Sequence, residues 1–469
     1  MIDGVNIEKN ITEKFMKFLN KTIARGLYLL VFLLPIQTRW IIKAGETEYA
    51  TYSLYGTDML LILVLLLFVV YRIFNLIKSS KFPEAMFGAS KVQNLLTFGL
   101  FLASFISIFF AIDKMLAFYK LSWLILGLGL FLLIVRVNYN RLKLIYALLS
   151  GIFLQAIFGS WQFLTQSNLA NKWLGLALHN GADLGASVIE TAGADGIGER
   201  WLRAYGGLDH PNILGGILII GIFLLINFIL IDKKSFRITN KIKIFTSYFL
   251  LLTFTTALFF SFSRAAWLAL TIGIGAMLIE AVFKKNYQAQ KSILQAVLIF
   301  GLVGFILFFQ FSNLLMARLY GERRLEIKSY NERLESIKNS LPIIKKNWAA
   351  GAGIGNYTLA LNRQRPGQES FYYQPAHNVF LLVWSEAGII GLLFLVGLII
   401  FVFMRLLRRP EYGSSRDDNG VGILVALVVL MTFDHWLWSL HFGVLFFWLV
   451  LGVIVIREDK KLNFPTSLC

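Results

Sequence analysis

Along the chain, apolar residues gather into runs close to the ~20 residues that a helix needs to cross a hydrocarbon core about 30 Å thick. The runs lie at 26–42, 59–77, 94–112, 116–135, 144–164, 213–231, 245–262, 265–283, 293–311, 378–404, 421–434 and 437–456. They predict an all-α polytopic membrane protein of about twelve transmembrane helices. Pro35 interrupts the first run, Lys120 sits inside the fourth, and the eleventh is short.

Connections rich in Lys and Arg stay in the cytoplasm. The leading segment carries Lys9, Lys14, Lys17, Lys21 and Arg25. Alternate connections carry Lys78, Lys81 and Lys91; Arg136, Arg141 and Lys143; Lys233, Lys234, Arg237, Lys241 and Lys243; Lys284, Lys285 and Lys291; and Arg405, Arg408, Arg409 and Arg416. Both ends are therefore expected in the cytoplasm, with the first apolar run a retained span and not a cleaved leader. One integral membrane domain, 1–469, then carries two long external loops, 165–212 and 312–376. The second holds ten Lys or Arg against five Glu. A long loop crosses regardless of such charge, but the excess calls for an anionic partner. Long ordered loops are also where function usually sits.

Composition agrees: 57% of residues are hydrophobic, 15% are charged, and the mean hydropathy is +0.66. The net charge of +18 is what anionic membrane lipid and topology demand, and no nucleic-acid partner is expected. The single cysteine, Cys469, leaves no Cys metal site or disulfide framework within the chain. Nor is there a P-loop or a His-Glu-x-x-His, so neither nucleotide hydrolysis nor zinc chemistry has sequence support.

Placed on this topology, Arg203, His210, Arg264, His377, Asp434 and His435 all fall at the outer membrane face. Arg264 stands in "SFSRAAW", an external turn too tight for the positive-inside rule to explain. Its fork of donors suits phosphate, and the alternative is snorkelling to lipid headgroups. In "RWLRAYGGLDHPNILGG", Arg203, the glycine pair, His210 and Asn212 lead into the sixth span. Either its N-terminus meets an anion, or this is an ordinary junction capped by Asp209. His377, in "PAHNVFLLVWSEAGIIGL", is a candidate general base or a helix-end anchor beside Asn378. Glu386, deeper in that run, does not share its face and reads as a structural partner. Asp434 and His435, in "FDHWLWS", could orient an imidazole, bind a sugar hydroxyl, or cap the last span. The segment 330–357 reads as a helix lying on the outer leaflet, with Leu334, Ile337 and Leu341 on one face, followed by the glycine turn "GAGIGNY". Pro342 is expected to end or kink that helix, and the glycines serve as phosphate cradle or simple turn.

"SRAAWLAL", "P…GAGIGNY" and "AHNVFLLVWSEAGIIGLL", in that order across a large loop, resemble the O-antigen ligase and polymerase superfamily of bacterial polysaccharide proteins. The similarity runs from about Arg203 to the final span. It implies a GT-C-like, metal-independent glycosyltransferase in the bacterial inner membrane, without cofactor. Its donor would be a polyprenyl-pyrophosphate-linked glycan and its acceptor a hydroxyl on a glycan, lipid core or protein. By resemblance, Arg264 and, more loosely, Arg203 would bind pyrophosphate and His377 would be the base; His210, which the resemblance gives no role, Asn378, Asp434 and His435 are candidate supporting residues from their positions. A polymerase, a protein O-oligosaccharyltransferase and a non-enzymatic flippase for lipid-linked sugars are the competing functions.

Overall fold

In lipid an apolar run satisfies its backbone only as a helix or in a closed barrel, and a computed structural model shows the helical solution. It describes residues 2–79, 91–183, 185–192, 198–227, 240–320, 324–407 and 420–455. Much of the basic pattern that set the expected sidedness, including Lys81, Lys233, Lys234, Arg237, Arg408, Arg409 and Arg416, lies outside these residues, as does Cys469.

Among the described residues, eight helices are long and apolar enough to cross a membrane: α2 (Gly56–Ser79), α3 (Lys91–Ser107, with a short 3-10 extension), α4 (Lys114–Arg136), α5 (Arg141–Thr165), α7 (Asn240–Ser261), α8 (Arg264–Phe283), α9 (Tyr287–Gln310) and α13 (Val379–Leu407). The other expected runs fall on α1 (Ile2–Leu33) and on three shorter apolar helices, α6 (Pro211–Leu225), α14 (Gly420–Phe433) and α16 (His441–Val455). The expected first span, 26–42, is corrected. Its helix stops at Leu33, ahead of Pro35, whose ring disfavours helical geometry in the preceding residue. Residues Arg39–Lys43 instead form strand β1, paired antiparallel with β2 (Tyr52–Tyr55).

Helices α6 and α16 are buried along their whole lengths and form the centre of the bundle. Short turns make α4 and α5, α7 and α8, and α8 and α9 run antiparallel. At one end of the bundle lie the β1–β2 hairpin and the hairpin of β3 (Val188–Ala192) and β4 (Gly198–Leu202). Three further helices share that end: α10 (Ser312–Tyr320), α11 (Arg324–Lys346) and α12 (Tyr357–Gln364). Arg136, Arg141, Lys284, Lys285 and Lys291 lie at the other end. Helix α11 starts earlier than expected and runs through Pro342 without ending there.

One irregularity fixes this end of the bundle. Inside α13, Gly388 has φ 70° and ψ −177°, a conformation essentially reserved for glycine. The backbone groups freed by the break are taken by the segment after α11. Ala352 N–H donates to Ser385 O (2.8 Å), Gly353 N–H to Glu386 O (3.0 Å), and Ile389 N–H to Trp348 O (2.8 Å). The approach is so close that a Cβ on Gly388 would lie 2.0 Å from Ala349 O, and one on Gly351 2.2 Å from Glu386 O. The glycine turn is therefore a backbone splice into a broken helix, not a phosphate cradle. Glu386 completes it, its carboxylate accepting from Trp438 Nε1 (2.9 Å) and Tyr357 N–H (3.3 Å).

Gly388→Ala is expected to destabilise the protein by at least the ~1–3 kcal/mol of a backbone held in that region. Gly301→Ala, in open space on α9, is expected to be nearly neutral. Thermal unfolding of the two variants in one detergent checks the difference.

Candidate functional site

Only Phe262 and Ser263 separate α7 from α8, and Phe262 takes the left-handed region at φ 47°. A turn this sharp strands the last carbonyls of α7. Phe260 O accepts from Ala204 N–H (3.0 Å), Ser261 O from Arg203 Nε (2.8 Å), and Phe262 O from Arg318 Nε (3.0 Å). Ser263 caps α8, accepting from Ala266 N–H at 3.4 Å. Arg264 is thereby presented at the first position of α8, with 29% of its side chain exposed.

Helix α11 meets this turn with Glu326, which is only 4% exposed. One oxygen pairs with Arg318 and the other with Arg264 at 3.0 Å. Arg333, two turns along the same face, lies within electrostatic reach of Arg264, Glu326 and Asp434. Burial lowers the pKa of Arg203, Arg318 and Arg333, and neighbouring guanidiniums lower each further. Four guanidiniums thus face two buried carboxylates, Glu326 and Asp434, leaving positive charge uncompensated where Arg264 and Arg333 are open.

The other half of the site is built around Asp434, between α14 and the short helix α15 (Trp436–Ser439). Its oxygens accept from His435 N–H (2.7 Å) and Asn212 Nδ2 (2.9 Å). Asn212 is held by Arg203 at 3.0 Å, while Ser187 Oγ accepts from the third nitrogen of that arginine at 2.6 Å. All three nitrogens of Arg203 are therefore engaged, and the residue is 4% exposed. The rings of His377 and His435 lie 5.1 Å apart, and that of Tyr49 is 5.7 Å from His435. His435 Nδ1 shares a hydrogen bond with Ser439 Oγ at 2.6 Å.

Burial would raise the pKa of Asp434, but His435, His377, His210 and the Asn212 hydrogen bond hold it below the usual carboxylate range. Burial pushes His435 down to about 4 and lowers His377 and His210, with Asp434 opposing each shift. Burial thus favours the neutral form of the three imidazoles, and the imidazoles and Asn212 favour the ionised form of Asp434.

His377, Asp434 and His435 each offer a ligand atom within 4.8 Å of the others, a set whose chemistry suits a divalent cation. The oxygens of Asp434 are already taken by N–H donors, however, and Arg333 faces His377 and Asp434. The geometry fits a hydrogen-bonded relay better.

The remaining candidate residues order the backbone. His210, not Asp209, caps α6, its Nδ1 accepting from Asn212 N–H at 3.1 Å. Gly206 and Gly207 bring their backbone onto α5, where Gln162 accepts from Gly206 N–H (2.8 Å) and Gln155 from Gly207 N–H (2.5 Å). Asn378 caps α13 through Leu381 N–H and reaches Thr432 O on α14, both at 3.0 Å. Arg318, Glu326, Arg333 and Tyr49 are the residues that the sequence reading did not single out. The seven-residue spacing of Glu326 and Arg333 was the available signal for a shared helical face.

Residues 249–396 match the family described as O-antigen ligase, in agreement with the superfamily that the motifs resemble. The match contains Arg264, Glu326, Arg333, His377 and Glu386, and it ends before Asp434. No curated protein matches the chain.

Glu326→Gln is expected to cost about 3–5 kcal/mol, because it strips a buried arginine of its counter-charge. Arg324→Ala, which breaks a pair to Glu190 from a side chain 75% exposed, is expected to cost ~0–1 kcal/mol. Chemical or thermal unfolding of both variants separates the two roles.

Proposed function

We propose that the protein transfers a glycan from a polyprenyl-pyrophosphate donor to an acceptor hydroxyl at the external face of the bacterial cytoplasmic membrane, as an O-antigen ligase-like enzyme. The observation that carries this reading is the juxtaposition of surplus guanidinium charge, around Arg264 and Arg333, with His377 backed by Asp434. The described basic connections at the opposite end of the bundle favour a cytoplasmic placement for that end and for both termini.

Arg264 and Arg333 hold the pyrophosphate, and in a water-poor site such preorganised donors stabilise charge gathering on the leaving group. Arg203 takes a positioning role instead of the pyrophosphate contact first expected for it. Its nitrogens are committed to Ser261, Ser187 and Asn212, and through Asn212 it steadies Asp434. His377 accepts the acceptor's hydroxyl proton as that oxygen attacks the anomeric carbon. The bond from that carbon to the phosphate oxygen breaks, and polyprenyl pyrophosphate departs with the electron pair. Asp434 stabilises the imidazolium so formed, and His435 completes the relay. A single displacement inverts the anomeric carbon. A polymerase or a protein-glycosylating enzyme would use the same donor half with a different acceptor. A flippase would want ionisable groups near mid-bilayer, whereas here they collect at one end.

Purified protein with a lipid-pyrophosphate glycan and envelope acceptors is expected to transfer glycan, with His377→Ala slower by a factor of ~10²–10⁴. Transfer at full rate in that variant removes the base from the mechanism. Because burial lowers the pKa of His377, the base is lost only in acid: the rate should rise through a midpoint below 6.5 and stay flat above it. Asp434→Asn should lower the plateau and move that midpoint further down, since the carboxylate opposes the depression. Adding a chelator should leave the rate unchanged; restoration of a chelated enzyme by a divalent ion would instead make His377, Asp434 and His435 metal ligands.

A further inference from the structure

Helix α11 has a third face, polar and largely exposed. Lys328, Asn331, Glu332, Glu335 and Asn339 recur at three- and four-residue steps, and so form one stripe. That stripe walls a groove of about 440 Å³, closed on the far side by Tyr357, Phe371, Tyr372 and Gln374. The volume lies in the ~300–1,000 Å³ range of small-ligand sites. His377 lines the groove, and it is the same residue that meets Asp434 and His435 on the other side.

We infer that this groove is an acceptor subsite for an uncharged glycan, a conclusion that rests on the function proposed above. Its cations are already matched: Arg324 pairs with Glu190 at 2.8 Å, and Lys328 with Glu332 at 3.7 Å. What the lining offers a ligand is amides from Asn331 and Gln374, the Glu335 carboxylate and the Phe371 ring, which is 67% exposed. Planar polar groups bond ring hydroxyls, and an exposed phenyl ring covers the apolar C–H face of a sugar. The wall is fixed in advance, because Tyr372 OH accepts from Arg365 (2.8 Å) and Asn339 Nδ2 (3.4 Å), while Tyr373 OH donates to Arg365 O (2.8 Å). A peptide would want a strand edge to pair with or an apolar groove for a helix, and the lining contains no strand. Helix α11 therefore divides the substrates, with donor pyrophosphate at Arg333 beside Arg264, acceptor sugar against Asn331 and Glu335, and His377 where the two sides meet.

The test uses the full chain in lipid nanodiscs and two probes: delipidated oligosaccharides released by mild acid from the source cells' envelope glycolipids, and peptides released from their envelope proteins. Saturation-transfer NMR is expected to report binding of the oligosaccharides. Phe371→Ala and Glu335→Gln, both at exposed positions, should weaken it by about tenfold, while Arg264→Ala should retain it. In the transfer assay the same two variants should raise KM for the acceptor and leave KM for the donor in place. A rise in donor KM instead assigns the groove to the donor's own glycan and overturns the proposal. So does binding of peptides alone, or oligosaccharide binding indifferent to both substitutions. Oligosaccharide bound at the groove without any transfer would leave the subsite standing and remove the transferase reading.

Discussion

A helix that breaks in the middle of an apolar run must hand its freed backbone groups to a partner, because lipid offers none. Here the break is at Gly388 and the partner is the stretch 348–353. Three backbone hydrogen bonds join them, and glycines stand wherever a side chain would intervene. That splice is what makes the segment between α9 and α13 part of the bundle. It seats α12, brings Gly355 onto Lys120 of α4, and draws Glu386 to Tyr357 and Trp438. His377 stands only two residues before α13, so its position is inherited from the same anchoring.

The charge arrangement carries a second constraint. Three arginines close to one another repel unless something is buried among them, and Glu326 binds two of them at once. Two of the three are spent on structure, since Arg203 and Arg318 close carbonyls left open by the turn at Phe262. Arg264 pairs through one nitrogen and stays partly exposed. The protein thus separates guanidiniums that fold the chain from guanidiniums that remain available, a division invisible in composition.

Hydropathy made the helical architecture legible because a span's length and its apolarity are local properties. It failed at residues 34–43, where Pro35 ends the helix and apolar Trp40, Ile41 and Ile42 belong to an exposed strand. The polar residues near helix ends were equally visible, since Arg264, His377, Asp434 and His435 each stand out against an apolar background. Arg318, Glu326 and Arg333 did not, lying in a loop already crowded with charge where only tertiary contact separates a buried ion from a solvated one. Nor could spacing reveal that the donors of Arg203 are consumed by Ser187, Ser261 and Asn212, partners 9 to 58 positions away. The glycine turn looked ambiguous for the same reason, as its function lies in a helix break more than thirty residues downstream.

Helix α11 shows Tyr330, Leu334, Ile337 and Leu341 outward, all well exposed, on the side away from Glu326 and the groove, with Ile327 at the groove's edge. Such a stripe suits acyl chains better than water. The helix that carries Arg333 thus presents, along one side, the apolar stripe of a helix suited to lie along a membrane surface.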